Sequence, residues 1–204
     1  MDKSTVDKLI KIFIFNKSKK KTIIFIHGLF GNSGFWLPFL TFFNQFKILI
    51  LDINYPELFK HDSKKINIKK YCDSILKNDE EYILISHSIG TFISQFFCSN
   101  KVKISHEICP VYNVERINRE VFVNQIKSKL DLSANEINKI LINSANFIDN
   151  NRVFENMSMN KIQYFPLKDH FFRHKNNFNN TKKFDGNHFE INNSILMIKT
   201  DLVS

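Results

Sequence analysis

The residues best suited to chemistry include a serine that follows a short apolar run. Residues 82–85 are four consecutive apolar or aromatic side chains, which is typical of a strand buried on both faces of a parallel sheet. Ser86-x-Ser88-x-Gly90 follows directly, and residues 91–97 carry enough apolar side chains to form a core helix. A strand, a five-residue turn and a buried helix are the setting of a nucleophile elbow, where a strained backbone holds the central side chain above the sheet. Ser88 is therefore the candidate nucleophile.

A glycine-containing segment at the end of an earlier apolar run is a second candidate. Residues 22–26 predict a buried strand that ends in His27-Gly28-Leu29-Phe30-Gly31. The glycines at positions 28, 31 and 34 lack the Gly-x-Gly-x-x-Gly spacing that lets a backbone approach a pyrophosphate, and no Gly-Lys-Ser or Gly-Lys-Thr follows them. The segment therefore does not predict a nucleotide site.

Both segments lie within a regular alternation of predicted strands and helices. Strands are predicted at residues 9–15, 22–26, 47–53, 82–85, 102–109, 161–165 and 181–184, and helices at residues 35–46, 66–77 and 91–97. This alternation predicts an α/β fold with a mostly parallel sheet and helices on both faces. Ligands bind such sheets at the carboxyl ends of the strands, where both His27-Gly28 and Ser86-x-Ser88 lie. Residues 191–203 form either a helix or a strand, and the pattern does not decide between the two.

The pattern changes in the residues that follow the fifth predicted strand. Two helices are predicted at about residues 114–129 and 134–148, and Ser133-Ala134-Asn135-Glu136 fits a capping box at the start of the second. No strong strand interrupts them. We therefore expect one domain over residues 1–204, with residues 112–160 as a small helical cap inserted between sheet strands. A further pair of crossover helices is the alternative.

Length and composition exclude several classes of protein. A chain of 204 residues is long enough to bury a real core, and a net charge of +9 favours acidic partners. The sequence has no zinc-binding spacing, no aromatic RNA-binding signature and no single basic helix, so nucleic acid is not an expected partner. We also expect no metal ion and no cofactor.

Cysteine usage and the distribution of apolar residues predict a cytoplasmic protein. Cys72, Cys98 and Cys109 are scattered and mostly in apolar surroundings, which is typical of reduced core residues and not of a disulfide framework. Residues 1–4 lack the apolar run of a secretion signal, and no stretch approaches the ~20 apolar residues of a membrane span.

Four motifs, taken in order, resemble those of the α/β-hydrolases. His27-Gly28 resembles the oxyanion segment of that family, and Ser86-His87-Ser88-Ile89-Gly90 resembles its Gly-His-Ser-Met-Gly elbow, with serine in place of the first glycine. Asp169 follows a late predicted strand and resembles the acid position, while Gly186-Asn187-His188-Phe189 resembles the segment around the family's histidine. The order of serine, acid and histidine is that of the family, and the resemblance spans nearly the whole chain.

The resemblance implies a catalytic triad of Ser88, Asp169 and His188. His188 would take the Ser88 proton and later pass it to the leaving group, while Asp169 would fix the imidazole tautomer and stabilise the imidazolium. Only 19 residues separate Asp169 from His188, which leaves room for no more than a trimmed late helix. Asp185 stays open as an alternative acid, and His174 as an alternative base.

The resemblance also implies an oxyanion hole made by the backbone N–H groups of Leu29 and Ile89. The pocket beside the nucleophile is expected to favour an apolar acyl chain, and its predicted lining residues are His27, Gly28, Phe30, Trp36, Phe122, Phe147 and Phe189. The alternative for most of these aromatic rings is a place in the hydrophobic core. His27 is alternatively a side chain that orders its own loop, and His87 is expected to be a partly buried packing residue.

A compact cytoplasmic hydrolase with a small cap and a basic surface resembles the esterases and thioesterases that act on acyl carrier protein. This resemblance implies a serine hydrolase that cleaves a carboxylic ester or thioester through an acyl-enzyme, with an acidic carrier steered by basic residues at the pocket mouth. The nearest specific group is the pimeloyl-[acyl-carrier protein] methyl ester esterases of biotin synthesis. The alternatives are a cofactor-free lyase or synthase of the vitamin K pathway type, which has a loop similar to residues 27–31, and a non-catalytic binding protein.

Overall fold

A computed structural model gives the fold and describes residues 8–60, 68–77, 80–97, 99–114, 117–151, 160–171 and 180–203. Within these residues seven strands form one sheet: β1 (Ile10–Phe15), β2 (Lys21–Ile26), β3 (Lys47–Ile53), β4 (Glu81–His87), β5 (Val102–Ile108), β6 (Lys161–Pro166) and β7 (Thr181–Phe184). The order across the sheet is β1-β3-β2-β4-β5-β6-β7, and every neighbouring pair is parallel except β1 with β3. The predicted α/β fold with a mostly parallel sheet is confirmed.

Helices connect the strands in the described part of the chain. A 3₁₀ helix spans Ser33–Phe43, and the α-helices are α1 (Tyr55–Leu58), α2 (Ile68–Ile75), α3 (Gly90–Ser94), α4 (Arg119–Lys127), α5 (Ala134–Asn150) and α6 (Asn192–Val203). The helix predicted over residues 35–46 is this 3₁₀ helix, and Pro38, which has no N–H to donate, lies inside it. Residues 191–203, for which the sequence pattern did not decide between helix and strand, contain helix α6. None of the described helices combines the length and apolarity needed to cross a membrane.

Alternating side chains along the strands fill two hydrophobic cores, one on each face of the sheet. On β2, Ile24 and Ile26 face the first core, whereas Ile23 and Phe25 face the second. Helices α2 to α5 pack on the first core, while the 3₁₀ helix and α6 pack on the second. Because both faces are covered by helices, the central strands are apolar on both sides, as the buried runs in the sequence predict.

Helices α4 and α5 lie in the long connection between the adjacent parallel strands β5 and β6. The predicted capping box starts α5: Ser133 Oγ accepts a hydrogen bond from Glu136 N–H at 3.3 Å, and Glu136 Oε2 accepts one from Ser133 N–H at 2.8 Å. Both helices contribute buried apolar residues to the first core, among them Phe122 and Leu141. This connection therefore covers the face of the sheet on which α3 lies.

The parallel strands bring their carboxyl ends to one edge of the sheet. The segments that follow the strands there are residues 27–31 after β2, Ser88 after β4, Cys109 after β5, Asp169 after β6 and His188 after β7. Residues that are far apart in the chain thus become neighbours at this edge, where ligands bind in parallel α/β sheets.

Candidate active site

Ser88 lies on a sharp turn between β4 and α3. Its φ angle of 54° falls in the left-handed region that residues with a Cβ rarely adopt. The Ser88 N–H donates to Ile108 O at 2.9 Å, and Thr91 Oγ1 donates to Ser88 O at 2.6 Å. These two hydrogen bonds hold the turn on both sides, so the strand, sharp turn and helix of a nucleophile elbow are present.

Two glycines allow the backbones around this turn to come close together. A Cβ at Gly90 would lie 2.5 Å from His27 O, so a residue with a side chain would push α3 away from the end of β2. A Cβ at Gly28 would lie 2.8 Å from Ser88 Cβ. Ser86 occupies the first glycine position of the motif, is fully buried, and has no hydrogen-bond partner for its Oγ among the described residues. The serine therefore fits, but with an unsatisfied buried hydroxyl.

His188 lies between Ser88 and Asp169. Its Nε2 is 3.0 Å from Ser88 Oγ, and its Nδ1 is 3.1 Å from Asp169 Oδ2. Because an ionised carboxylate only accepts hydrogen bonds, Nδ1 carries the proton and Nε2 accepts from the Ser88 hydroxyl. Asp169 Oδ1 also accepts from Phe171 N–H at 2.8 Å, which orients the carboxylate. The side chains of His188 and Asp169 are 1% and 2% exposed, so these hydrogen bonds are shielded from water.

The structure brings Asp169, and not Asp185, to the imidazole. The strands that precede Asp169 and His188 are adjacent and parallel, so the segments that follow them meet at the same edge. The exposed carboxylate of Asp185 instead pairs with Lys168 at 2.9 Å on the surface. His174, the alternative base, lies outside the described residues.

A small cavity opens beside Ser88, on the side of the first core. Ser88, His188 and Phe189 line it together with apolar side chains from the connection between β5 and β6, including Val111 and Leu141. Its open volume is about 20 Å³, which holds about one water molecule. An acyl group larger than water therefore enters only when some of these side chains move.

The backbone N–H groups of Leu29 and Ile89 belong to residues that line the same cavity. In the described part of the chain neither N–H donates to a backbone carbonyl. Ile89 directly follows Ser88, and Leu29 follows Gly28, which approaches the Ser88 side chain. Two unengaged donors beside a hydroxyl are what an oxyanion hole requires.

His27 orders the loop that carries Leu29. Its Nδ1 donates to Gly28 O at 2.8 Å, and its Nε2 accepts from Ile53 N–H at 2.9 Å. Burial lowers the pKa of His27, which keeps the ring neutral and able to accept that second bond. The residue thus has the loop-ordering role given above as an alternative, and it does not line the cavity beside Ser88.

His87 supports the catalytic histidine candidate from behind. Its Nε2 donates to the backbone oxygen of His188 at 2.7 Å, and its ring stacks on Phe35 with a centroid separation of 4.9 Å. Burial, with a smaller contribution from the neighbouring His188, lowers the pKa of His87 to about 3. His87 is therefore a neutral donor that fixes the position of the His188 backbone, which is more than the packing role expected from the sequence.

Among the predicted pocket residues, Phe122 and Phe189 line the cavity beside Ser88. Phe30 lies one layer further out, with its ring centroid 6.1 Å from that of Phe122. Phe147 packs in the first core against Phe59, with ring centroids 5.1 Å apart, and does not reach the cavity. Aromatic residues of this connection therefore divide between pocket and core, a division that depends on how α4 and α5 pack.

The assignment of Trp36 to the pocket is corrected by the structure. Trp36 is fully buried in the second core, where its ring centroid is 4.8 Å from that of Phe25. The cavity lies on the opposite face of the sheet. The 3₁₀ helix packs against the second core, and it carries Trp36 to that side.

Several residues that complete the site were not singled out from the sequence. Val114, Ile117 and Ser144 line the cavity, but apolar and small residues in a helical region show no pattern that separates pocket from core. Cys109 lies beside Asp169 and His188 and has a φ angle of 49°. Only the strand predicted over residues 102–109, whose last residue is Cys109, could have placed Cys109 at the functional edge.

No protein-family model matches this chain, and no curated protein matches it in sequence. Solved structures match it in fold. The chain aligns over 96% of its length with 98% of a lipase-esterase related protein from Clostridium acetobutylicum ATCC 824, at 14% identity and a TM-score of 0.60. It aligns over 96% with 86% of carboxylesterase CesB from Bacillus subtilis, at 13% identity and a TM-score of 0.63. It aligns over 95% with 99% of the NocB thioesterase domain from the nocardicin cluster, at 9% identity and a TM-score of 0.65. The chain has the α/β-hydrolase fold.

Proposed function

We propose that this protein is a serine hydrolase that cleaves a carboxylic ester or thioester through an acyl-enzyme. One observation carries the proposal: hydrogen bonds of 3.0 and 3.1 Å join the Ser88 hydroxyl, the His188 imidazole and the Asp169 carboxylate at the carboxyl edge of the sheet. The fold supports it, because the similar structures include a carboxylesterase and a thioesterase domain.

In the acylation step Ser88 Oγ attacks the substrate carbonyl carbon while His188 Nε2 takes the hydroxyl proton. Asp169 stabilises the imidazolium that forms. The N–H groups of Leu29 and Ile89 bind the negative oxygen of the tetrahedral intermediate, a contribution of about 3 kcal/mol for each donor. His188 then gives its proton to the leaving alcohol or thiol, the ester or thioester bond breaks, and the acyl group stays on Ser88.

Water completes the reaction by the same route in reverse. His188 takes a proton from a water molecule, whose oxygen attacks the acyl carbon, and the carboxylic acid leaves as Ser88 regains its proton. The open volume of about 20 Å³ beside Ser88 is large enough for this water. The acyl chain must therefore occupy space that is created when apolar side chains around the cavity shift.

The described lining of the cavity favours an apolar acyl group. Val111, Ile117, Phe122 and Leu141 contribute apolar surface, and no lysine or arginine is among the described lining residues. Such a pocket suits a hydrocarbon chain better than a sugar or a nucleotide. The same lining argues against a lyase or synthase of the vitamin K pathway type, because a polyanionic substrate needs basic residues inside the pocket.

Within this class we propose that the acyl chain is carried by an acidic acyl carrier protein, with residues 112–160 acting as the cap over the site. The net charge of +9 supports an acidic partner. Lys129 adds a local argument, since its ammonium nitrogen is 4.8 Å from the ring centroid of Phe189, which lines the cavity. The narrower assignment to pimeloyl methyl esters rests on the sequence resemblance, and relative kcat/KM for the carrier-bound and the free methyl ester tests it.

A fluorophosphonate probe followed by mass mapping tests the proposed nucleophile. We expect the probe to label the wild-type protein at Ser88 and to leave the Ser88→Ala variant unlabelled. Ser144→Ala is the matched control, because Ser144 lines the same cavity but its hydroxyl donates to Leu141 O at 2.7 Å. A label on another residue, or a wild-type protein that stays unlabelled, would contradict the proposal and favour a non-catalytic binding protein.

A further inference from the structure

Cys109 lies directly beside the proposed acid and base. The thiol sulfur of Cys109, a carboxylate oxygen of Asp169 and a ring nitrogen of His188 all lie within 4.8 Å of one another. The three residues follow β5, β6 and β7, which are neighbours in the sheet, so the fold itself fixes their grouping. No step of the proposed hydrolysis uses a thiol group of the protein itself.

The thiol is held in an unusual conformation for a core residue. Cys109 is fully buried, its φ angle is 49°, and its Sγ lies 3.8 Å from His188 O. Burial and the neighbouring Asp169 raise the pKa of Cys109 well above its usual value. The free thiol is therefore not a competing nucleophile, since the thiolate is the reactive form.

We propose that Cys109, Asp169 and His188 form a binding site for a thiophilic divalent cation such as Zn²⁺, and that the bound ion switches the hydrolase off. Thiolate sulfur, imidazole nitrogen and carboxylate oxygen are the donor types that zinc takes in proteins. Three protein ligands leave a fourth position for water. No zinc-binding spacing marks this site in the sequence, because its ligands come from three different strand ends.

The distances are close to those of a tetrahedral site. Zinc–ligand bonds of ~2.0–2.3 Å place ligand atoms roughly 3.3–3.7 Å apart around the ion. The His188 Nδ1 and Asp169 Oδ2 atoms are 3.1 Å apart, while the widest separation in the cluster is within 4.8 Å. A contraction of about 1 Å, within the range of side-chain rotation, would complete the coordination.

Coordination at Nδ1 removes the base from the reaction. In the metal-free site the Nδ1 proton points to Asp169, and Nε2 accepts from Ser88. The ion needs the Nδ1 lone pair, so the imidazole proton moves to Nε2 and the Cys109 thiol releases its proton to solvent. The Nε2–H group then donates to Ser88 Oγ and cannot take the hydroxyl proton.

Burial of the ligands predicts slow binding. The side chains of His188 and Asp169 are 1% and 2% exposed, and Cys109 is 0% exposed. An ion reaches them only when the surrounding loops open. Inhibition should therefore develop with preincubation time instead of on mixing, and a chelator should reverse it slowly.

Metal binding can be measured without any assumption about activity. Cd²⁺ is the probe, because a cadmium–thiolate bond gives an ultraviolet charge-transfer band. We expect the wild-type protein and Ser88→Ala each to bind about one equivalent of Cd²⁺ and to show this band. The band should be absent from Cys109→Ala and from the size-conserving Cys109→Ser. Cys72→Ala is the matched control, since Cys72 is a buried thiol of the first core. A band that persists without Cys109, a band lost in Cys72→Ala, or no band in the wild type would overturn the site.

The inhibitory part rests on the proposed function and has its own readout. After preincubation with micromolar Zn²⁺ we expect hydrolysis by the wild type to fall at least about tenfold, and by Cys109→Ala less than about twofold, each relative to its own metal-free rate. Mg²⁺ and Ca²⁺ should have no effect, because they prefer oxygen ligands. A protein that binds Cd²⁺ but is inert to the fluorophosphonate keeps the metal site and loses the hydrolase. A protein that is labelled but insensitive to Zn²⁺ loses the inhibitory switch.

Discussion

The candidate site and the second core each contain a buried histidine linked to an aspartate. In the hydrogen-bonded series around His188, the imidazole lies between Asp169 and the Ser88 hydroxyl. In the hydrogen-bonded series around His106, the Nδ1 atom is 2.9 Å from Tyr164 Oη, which donates to Asp201 Oδ2 at 3.1 Å. The two hydrogen-bonded series are built from similar groups, and they differ at the ring nitrogen Nε2 of each histidine.

The Nε2 atom of His106 has no group beside it, within the described residues, from which it could take a proton. His106 Nε2 is buried without a hydrogen-bond partner in the described part of the chain, whereas His188 Nε2 accepts from a hydroxyl that lines a cavity. His106 lies within β5, between Ile85 and Ile162 of the neighbouring strands, and His188 follows the carboxyl end of β7. The comparison teaches that position relative to a strand end, more than residue type, separates a candidate base from a structural histidine.

Replacing each histidine by glutamine is the strongest test of this contrast. His188→Gln removes the base, and we expect kcat for ester hydrolysis to fall by about 10⁵–10⁶-fold, the scale seen when a triad member that acts as a unit is lost. His106→Gln should keep kcat within a few-fold. Rates with a p-nitrophenyl ester, with folding checked by circular dichroism, measure both. Comparable losses of kcat in the two variants would contradict the distinction between a candidate base and a structural histidine.

The two aspartates give the next largest effect. Asp169→Asn leaves the shape intact but favours the wrong imidazole tautomer, so we expect kcat to fall about 10⁴-fold. Asp201→Asn should leave kcat nearly unchanged and lower the free energy of unfolding by roughly 1–3 kcal/mol, because Asp201 accepts hydrogen bonds from Tyr164 and Lys182. Urea unfolding and initial rates separate these outcomes. A large activity loss in Asp201→Asn would contradict the assignment.

His87 gives an intermediate case, because it hydrogen-bonds to the backbone of His188 without joining the series of Ser88, His188 and Asp169. His87→Ala removes the donor to His188 O, and a displaced base is expected to lower kcat by about 10–100-fold with KM little changed. His87→Gln keeps an N–H near the same place and should recover most of that loss. If alanine and glutamine are equally impaired, the hydrogen bond is not what positions the base.

The pH dependence of stability tests both supporting histidines without any measurement of activity. Burial lowers the pKa of His106 to about 4 and that of His87 to about 3, against an ordinary value of 6.5. Below pH 6.5 the unfolded chain binds protons that the folded protein does not. The free energy of unfolding is therefore highest above pH 6.5 and falls towards pH 4, by at most about 1.4 kcal/mol per pH unit for each histidine. Urea unfolding at several pH values measures the slope, and His106→Gln should make it shallower. An unchanged slope in that variant would contradict a neutral, buried His106.

Sequence patterns were sufficient where a function depends on local geometry. The apolar run before Ser88 and the glycine after it predict the elbow, because a turn this tight needs a small residue at Gly90. The alternation of strands and helices predicts which segments end at the carboxyl edge. It follows that His27-Gly28 and Ser88 meet there, although their strands are separated by β3 in the sequence.

Sequence patterns fail where a role depends on which face an element presents or on contacts between distant segments. Trp36 was expected in the pocket and lies in the second core, because the 3₁₀ helix that carries it packs on that face of the sheet. His87 donates to a residue 101 positions away, and Cys109 lies beside residues from two other strand ends. Neither contact leaves a local signal, since both arise from the packing of the whole sheet.

Ser88 and His188 are 100 positions apart along the chain, and β7, the last described strand in chain order, directly precedes the His188 segment. Closing a segment of that length comes late in folding, after the local turns and helices have formed. Recovery of hydrolysis should therefore trail the recovery of Trp36 fluorescence when denatured protein is diluted into buffer. For the same reason we expect a nascent polypeptide to acquire the proposed reactivity only after β7 and His188 have left the ribosome.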